Sequence, residues 1–319
     1  MRILLMIATL ALASVVHACD VPVFRYALER WHSDPFQLVV FHQGTLEAGL
    51  DAELRKLEAD PNPDSRKVTP NWQIVRIDTT KEVPKLWQAV WQPLQKQSLP
   101  VAALCAPEWR MGEEPLWSGA LTTEVLHELA HSPKREEVAK LLLAGKAVIW
   151  LVIESGKKAK DQALLDLLKA ESETLTNTIP VPRNLVRDGI NVLTDLPIEA
   201  NFTIVFVRAN DPQEQMLLRL LTNGEPVTEP LVYPIFGRGR ALAQFKGGNL
   251  NNGLLEETAR FLCGACSCQV KAQNPGFDML MTVRWEDIFG DQVPPPDERL
   301  SSSGGPQLVP IPKRKKNKP

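Results

Sequence analysis

From Phe36 onward the apolar positions switch repeatedly between the two spacings that distinguish strands from helices. Phe36 to His42 (FQLVVFH) is an apolar run of strand length, and Thr45 to Asp60 sets Leu46, Leu50, Leu54 and Leu57 along one helical face. Trp72 to Thr79 predicts a second strand, and Glu82 to Gln97 a second helix. Leu99-Pro100 then leads into a strand at Val101 to Ala106, a turn, a strand at Pro115 to Gly119 and a helix at Thr122 to His131.

The same order returns in the second half. Lys146 to Ser155 (KAVIWLVIES) predicts a strand, Lys157 to Leu175 a helix, Phe202 to Ala209 a strand, and Asp211 to Asn223 a helix capped by Asp211 with Pro212 at its first position. Tyr233-Pro234 follows, then two short strands around a glycine turn, then a helix at Asn252 to Leu262. A repeat of this length predicts two α/β units built alike.

The element order, with a proline ahead of the third strand of each half, resembles the thioredoxin fold. That resemblance implies cis prolines at Pro100 and Pro234 and two tandem thioredoxin-like domains, 19–143 and 144–290. Residues 291–319 hold PPPDERLSSSGGP and end in KRKKNK, a composition with too little apolar surface to fold, and are expected to be a disordered tail. A second likeness is more specific. PIFGRGRAL (Pro234 to Leu242) and GACSCQVKAQNPGFDML (Gly264 to Leu280) are similar to an uncharacterised family of exported proteins from planctomycete-like bacteria, which implies export and no particular activity.

The N-terminus agrees with export. Met1-Arg2 precedes an apolar run too short to span a bilayer, ending in small residues at Ala18, so residues 1–18 are expected to be a signal peptide and the protein exported, to the periplasm or to a membrane anchor. Val16-x-Ala18 suits ordinary signal peptidase, while Cys19 immediately after it makes the same cut suit a lipoprotein, with Cys19 as the lipidated residue and sole membrane attachment. The chain carries 36 Lys and Arg against 38 Asp and Glu, with its one basic run confined to the tail, so nucleic acid is not an expected partner.

Three sets of residues invite chemistry. A thioredoxin-like oxidoreductase places CxxC where the first strand meets the first helix, because the helix N-terminus stabilises a thiolate. Here those junctions read FHQGTLEAG and ESGKKAKDQ, without cysteine, with His42 and Thr45 as candidates for a polar site at the first. His127-Glu128-Leu129-Ala130-His131 matches the HExxH pattern of zinc peptidases, two imidazoles one helical turn apart with Glu128 as general base. Ser132-Pro133 ends that helix at once, no third ligand is evident downstream, and no buried continuation is expected to frame a cleft. Cys263, Cys266 and Cys268 have spacings that suit a structural disulfide, a redox dithiol or a thiolate site for copper or zinc. Cys105 is expected in the core, and Arg238 and Arg240 of the glycine turn are candidates to hold an anion.

The expectation is an exported, non-catalytic scaffold or protein-binding module of the bacterial envelope, without a cofactor and with a protein partner the sequence does not name. The alternatives are a copper-, zinc- or redox-handling protein using the cysteine cluster, and a zinc hydrolase using His127, Glu128 and His131.

Overall fold

The computed structural model describes residues 21–60, 65–107, 114–181, 192–265 and 270–290. The expected signal peptide, Cys19, Cys266, Cys268 and the tail lie outside the described residues.

The chain is a mixed α/β protein with two sheets. It opens with α1 (Val23–Arg30). The first sheet comes from β1 (Phe36–His42), α2 (Ala48–Leu57), β2 (Trp72–Asp78), a short α3 (Gln88–Trp91), β3 (Val101–Cys105), β4 (Trp117–Ala120) and α4 (Thr123–Ala130). Its strand order is β2-β1-β3-β4, with β1 and β2 parallel and the other pairs antiparallel. Side chains of β1 alternate between two cores: Leu38 and Val40 join α2 and α4, while Val39 and Phe41 join Trp87, Val90 and Leu94 on the other face. The predicted helix at 82–97 is broken into 3₁₀ turns on either side of α3, because Pro84 and Pro93 cannot donate to a continuous ladder.

After α5 (Pro133–Leu143) the pattern repeats with β5 (Val148–Glu154), α6 (Lys158–Thr178), β6 (Phe202–Arg208), α7 (Gln215–Thr222), β7 (Leu231–Phe236), β8 (Arg240–Ala241), β9 (Phe245–Lys246) and α8 (Asn252–Cys263). The second sheet runs β10-β8-β7-β5-β6, where β10 (Phe277–Asp278) is a late addition at the edge and β9 pairs with β7. Trp150 and Val152 of β5 face one core, and Ile149, Leu151 and Ile153 face the other.

Two features depart from the boundaries at 19, 143 and 144. Helix α1 precedes the first sheet in sequence but sits in the second core, where Val23, Phe24, Tyr26 and Ala27 pack with Trp150, Phe236, Ala259 and Leu262. Its Arg25–Glu29 pair is wholly buried, at 2.7 Å, and holds the segment after α6: Glu29 accepts from Leu193 N, Thr194 N and Thr194 Oγ1, while Arg25 donates to Thr194 O and Leu196 O. Likewise α5 belongs to the second core through Val138, Ala139 and Leu142. The exchange has a packing reason. The apolar side of α1 is completed by β5, β7 and α8, all of them later in the chain than the first sheet.

The C-terminal stretch then stitches the two sheets together. Met279 and Met281 enter the second core and Leu280 between them enters the first, the two-residue alternation of an extended chain. Asn71, just ahead of β2, fastens this strap: its side chain accepts from Met281 N and donates to Met279 O, and its own N–H donates to Met281 O.

Leu99–Pro100, immediately before β3, is the cis peptide bond among the described residues, so the expectation at Pro234 is corrected. Pro234 lies inside β7 opposite Trp150, and its carbonyl accepts from Leu242 N. Register explains the slip. Val101 and Leu231 occupy matching places beside the two central strands, so the residue equivalent to Pro100 is Pro230.

Candidate functional site

Helix α7 is the element that brings the halves face to face. Its sequence, QMLLRLLT, is apolar on nearly every side because it is covered twice: Leu217, Leu218 and Leu221 enter the second core, while Met216 and Leu220 pack on the first. Arg219 Nε donates to Leu116 O at 2.8 Å, tying the helix to the approach to β4. Asn223, at φ 52°, ends it in the left-handed conformation.

A buried polar knot fixes the spacing of α7 from α4 and α5. Ser132 caps α5 by accepting from Arg135 N. Glu214, one residue ahead of α7 and 1% exposed, accepts from the Ser132 hydroxyl and from Lys134 N (2.7 Å), so a carboxylate from the second half completes a helix N-terminus begun in the first. Burial pushes the Glu214 carboxyl above its ordinary range, against the pull of those hydrogen bonds and of Arg135. Arg135 donates to Leu129 O at the end of α4 and to Leu280 O of the strap, and burial lowers its pKa to about 10.

Beside this knot lies an open groove of about 780 Å³. One wall is α4 and its turn into α5, with Val125, His127, Glu128, His131 and Glu136; the other is α7 and the loop after it, with Gln215, Met216, Arg219, Glu225 and Val227. Trp117 also lines it. The sequence expectation that no cleft would form beside HELAH is therefore corrected. Ser132-Pro133 does end α4, but Pro133 begins a second helix whose exposed first turn, at Pro133 and Glu136, extends the wall.

Within that wall the HELAH residues do not assemble a zinc site. Helix α4 stops at Ala130, and His131 is its extended C-cap. The rings of His127 and His131 lie one against the other, with centroids 4.5 Å apart and planes tilted 31°, while His131 Nδ1 is 3.5 Å from Glu136 Oε1. Desolvation, then repulsion from His127, hold the His131 imidazole below its ordinary pKa. Among the described residues no group of three or more His, Cys, Asp or Glu side chains is placed to hold a metal ion, so the third protein ligand that a catalytic zinc requires is not found among them.

The other candidates resolve differently. At the first strand-to-helix junction His42 Nδ1 meets Gly44 O at 2.7 Å, Asp78 accepts from Gly44 N and Thr80, and Thr45 is exposed. At the second, Ser155 is held by Asp161. Arg238 and Arg240 are buried and already occupied. Arg238 donates to Leu28 O and Glu29 O at the end of α1 and pairs with Glu286; Arg240 pairs with Asp278 and reaches Asn274 O and Pro275 O. These contacts cap α1 and seat β10. Cys105 and Cys263 are buried free thiols, each raised to about 12 by burial. Cys263 is therefore a poor nucleophile near neutral pH. The groove itself was missed from sequence, although the doubly apolar α7 was its visible sign.

No family model matches the chain, and no curated protein matches it. Among solved structures, the first two thioredoxin domains of Naumovozyma dairenensis Eps1p are similar at 12% identity over 74% of this chain and 93% of that one, with a TM-score of 0.19, too low to carry an argument.

Proposed function

We propose that the chain is an exported, non-catalytic scaffold or protein-binding module of the bacterial envelope, built of two thioredoxin-like units that act as one body. The β2-β1-β3-β4 order, its repetition in the second sheet and the cis Leu99–Pro100 bond ahead of β3 support the fold assignment. The N-terminal sequence supports export, by ordinary cleavage or by lipidation of Cys19. The lack of cysteine at both strand-to-helix junctions supports a role without dithiol chemistry there.

The observation that carries the reading is the groove, which exists only because both units contribute walls and a buried knot holds them apart at a fixed distance. Its mixture of Trp117, Val125, Met216 and Val227 with carboxylates and imidazoles suits a polypeptide partner better than a small apolar ligand. The test is site-specific crosslinking in the native envelope. A photoreactive residue replacing exposed Gln215 in the groove is expected to capture a partner that the same residue at Lys160, on α6 outside it, does not. Equal capture at both positions, or none at Gln215, sinks the reading. The mass of the mature N-terminal peptide tests the export claim, since an uncleaved residue 1–18 segment contradicts it.

A further inference from the structure

We propose that the groove between α4 and α7 is a receptor for this chain's own basic C-terminal segment, Leu308 to Lys318. This rests on the reading of the groove as a polypeptide-binding surface and adds its occupant. The ionised lining is unbalanced: Glu128, Glu136 and Glu225 face a single guanidinium, Arg219, whose Nε is committed to Leu116 O. The apolar lining, Trp117 and Met216 among it, lies in the same groove. A fitting ligand therefore carries an apolar stretch joined to several positive charges.

The segment LVPIPKRKKNK, Leu308 to Lys318, has that composition, with Leu308, Val309 and Ile311 followed by Lys313, Arg314, Lys315, Lys316 and Lys318. The prolines at 310 and 312 favour an extended backbone, which suits an open groove rather than a closed cavity. Position agrees with chemistry. The described chain ends at Gly290, just after the turn Trp285–Phe289, which packs on α5, and the N-terminal end of α5 supplies Pro133 and Glu136 to the groove wall. The 18 residues from Gly290 to Leu308 can span at most ~60 Å, about three times the ~19 Å radius of gyration of a compact chain of this size. Reach does not restrict the docking. Tethering raises the local concentration of the segment to the order of millimolar, so weak individual contacts suffice.

The occupant also explains how an acidic, partly apolar groove is kept from non-specific partners: a basic partner segment must displace the tail. The test is limited trypsin digestion of the full chain at low ionic strength, comparing the parent with a Glu128→Gln, Glu136→Gln, Glu225→Gln variant whose near-UV circular dichroism matches the parent's. Cleavage within Lys313 to Lys318 is expected to be about tenfold slower in the parent, with the difference vanishing in about 0.5 M sodium chloride as ion pairing is screened. Equal rates in both proteins at low salt overturn the proposal. Protection that grows with protein concentration also overturns it, by moving the segment into the groove of a second copy. A freely cleaved tail together with specific crosslinking at Gln215 leaves the binding surface standing and assigns it to another protein; a freely cleaved tail with no crosslink at Gln215, to the tail or to a partner, removes the surface itself.

Discussion

Replacing Glu29 by alanine removes the acceptor at the centre of the α1 attachment. The carboxylate is fully buried and receives Arg25 Nε at 2.7 Å, Leu193 N at 2.9 Å, Thr194 Oγ1 at 3.0 Å and Thr194 N at 3.2 Å. Arg25 is also 0% exposed, and burial already depresses its pKa more than Glu29 restores it. Without Glu29 a guanidinium is left in the core with carbonyl acceptors and only the weaker attraction of Asp195, which costs about 3–5 kcal/mol. The orphaned amides and hydroxyl of 193–194 place the loss at the upper end of that range. Against a total stability of about 5–15 kcal/mol, that is enough to loosen the second unit selectively. The assay is urea unfolding combined with hydrogen exchange, where amides of β5 and α8 are expected to lose protection before those of β1 and β3. Glu53→Ala, which breaks only the exposed Glu53–Lys56 pair on α2, is the control, with a loss of roughly 0.2–1 kcal/mol. A loss below about 1 kcal/mol for Glu29→Ala, or deprotection centred on β1, would refute the placement of α1 in the second core.

Three further outcomes follow from the same geometry. Gly237→Ala is expected to cost about 2–5 kcal/mol, since the residue holds φ +58° and a Cβ there would lie 2.6 Å from Ala27 Cβ; a melting temperature within a degree of the parent contradicts this close approach. Cys105 and Cys263 are expected to resist a thiol reagent at pH 8 in the native protein and to react on unfolding, because a pKa of about 12 leaves roughly one thiolate in ten thousand; rapid native labelling at Cys263, followed by mass spectrometry, counts against its burial. The His131 imidazole is expected to titrate below 6.5 by NMR, and His127→Gln to raise its midpoint. Because the fold penalises the charged ring, stability from this group is complete above its unfolded pKa and declines as pH falls from about 6.5 toward the folded value. A midpoint at or above 6.5 rules out that environment.

What could be seen in the amino-acid order was what neighbouring residues decide. The strand-length runs at Phe36, Trp72, Val101, Lys146 and Phe202 became the strands expected of them, and Asp211 caps its turn through Gln213 N as its position suggested. Long-range placement was hidden. In VFRYALER, Arg25 and Glu29 stand four apart like any solvated surface pair, and only the arrival of residues 193–196 and α8 makes them a buried one. Arg238 and Arg240 read as anion-binding for the same reason: composition does not reveal that Leu28 O, Glu29 O and Asp278 already wait for them. The alternation of Met279, Leu280 and Met281 was too short to announce a strap between two cores. The groove followed from one absent inference, the double coverage of α7.

The docking of α1 also orders events in time. The helix is made before either sheet, yet its seat against α8 and β7 is complete only after residue 263. While the first sheet closes, a peptide presenting Phe24, Tyr26 and Leu28 has no core to enter and must be shielded or left waiting. Synthesis that stops anywhere between the two sheets therefore yields a first unit with an adhesive leader. Completion of α8 is the step that withdraws it, so a helix built late is the one that keeps a segment built early from aggregation.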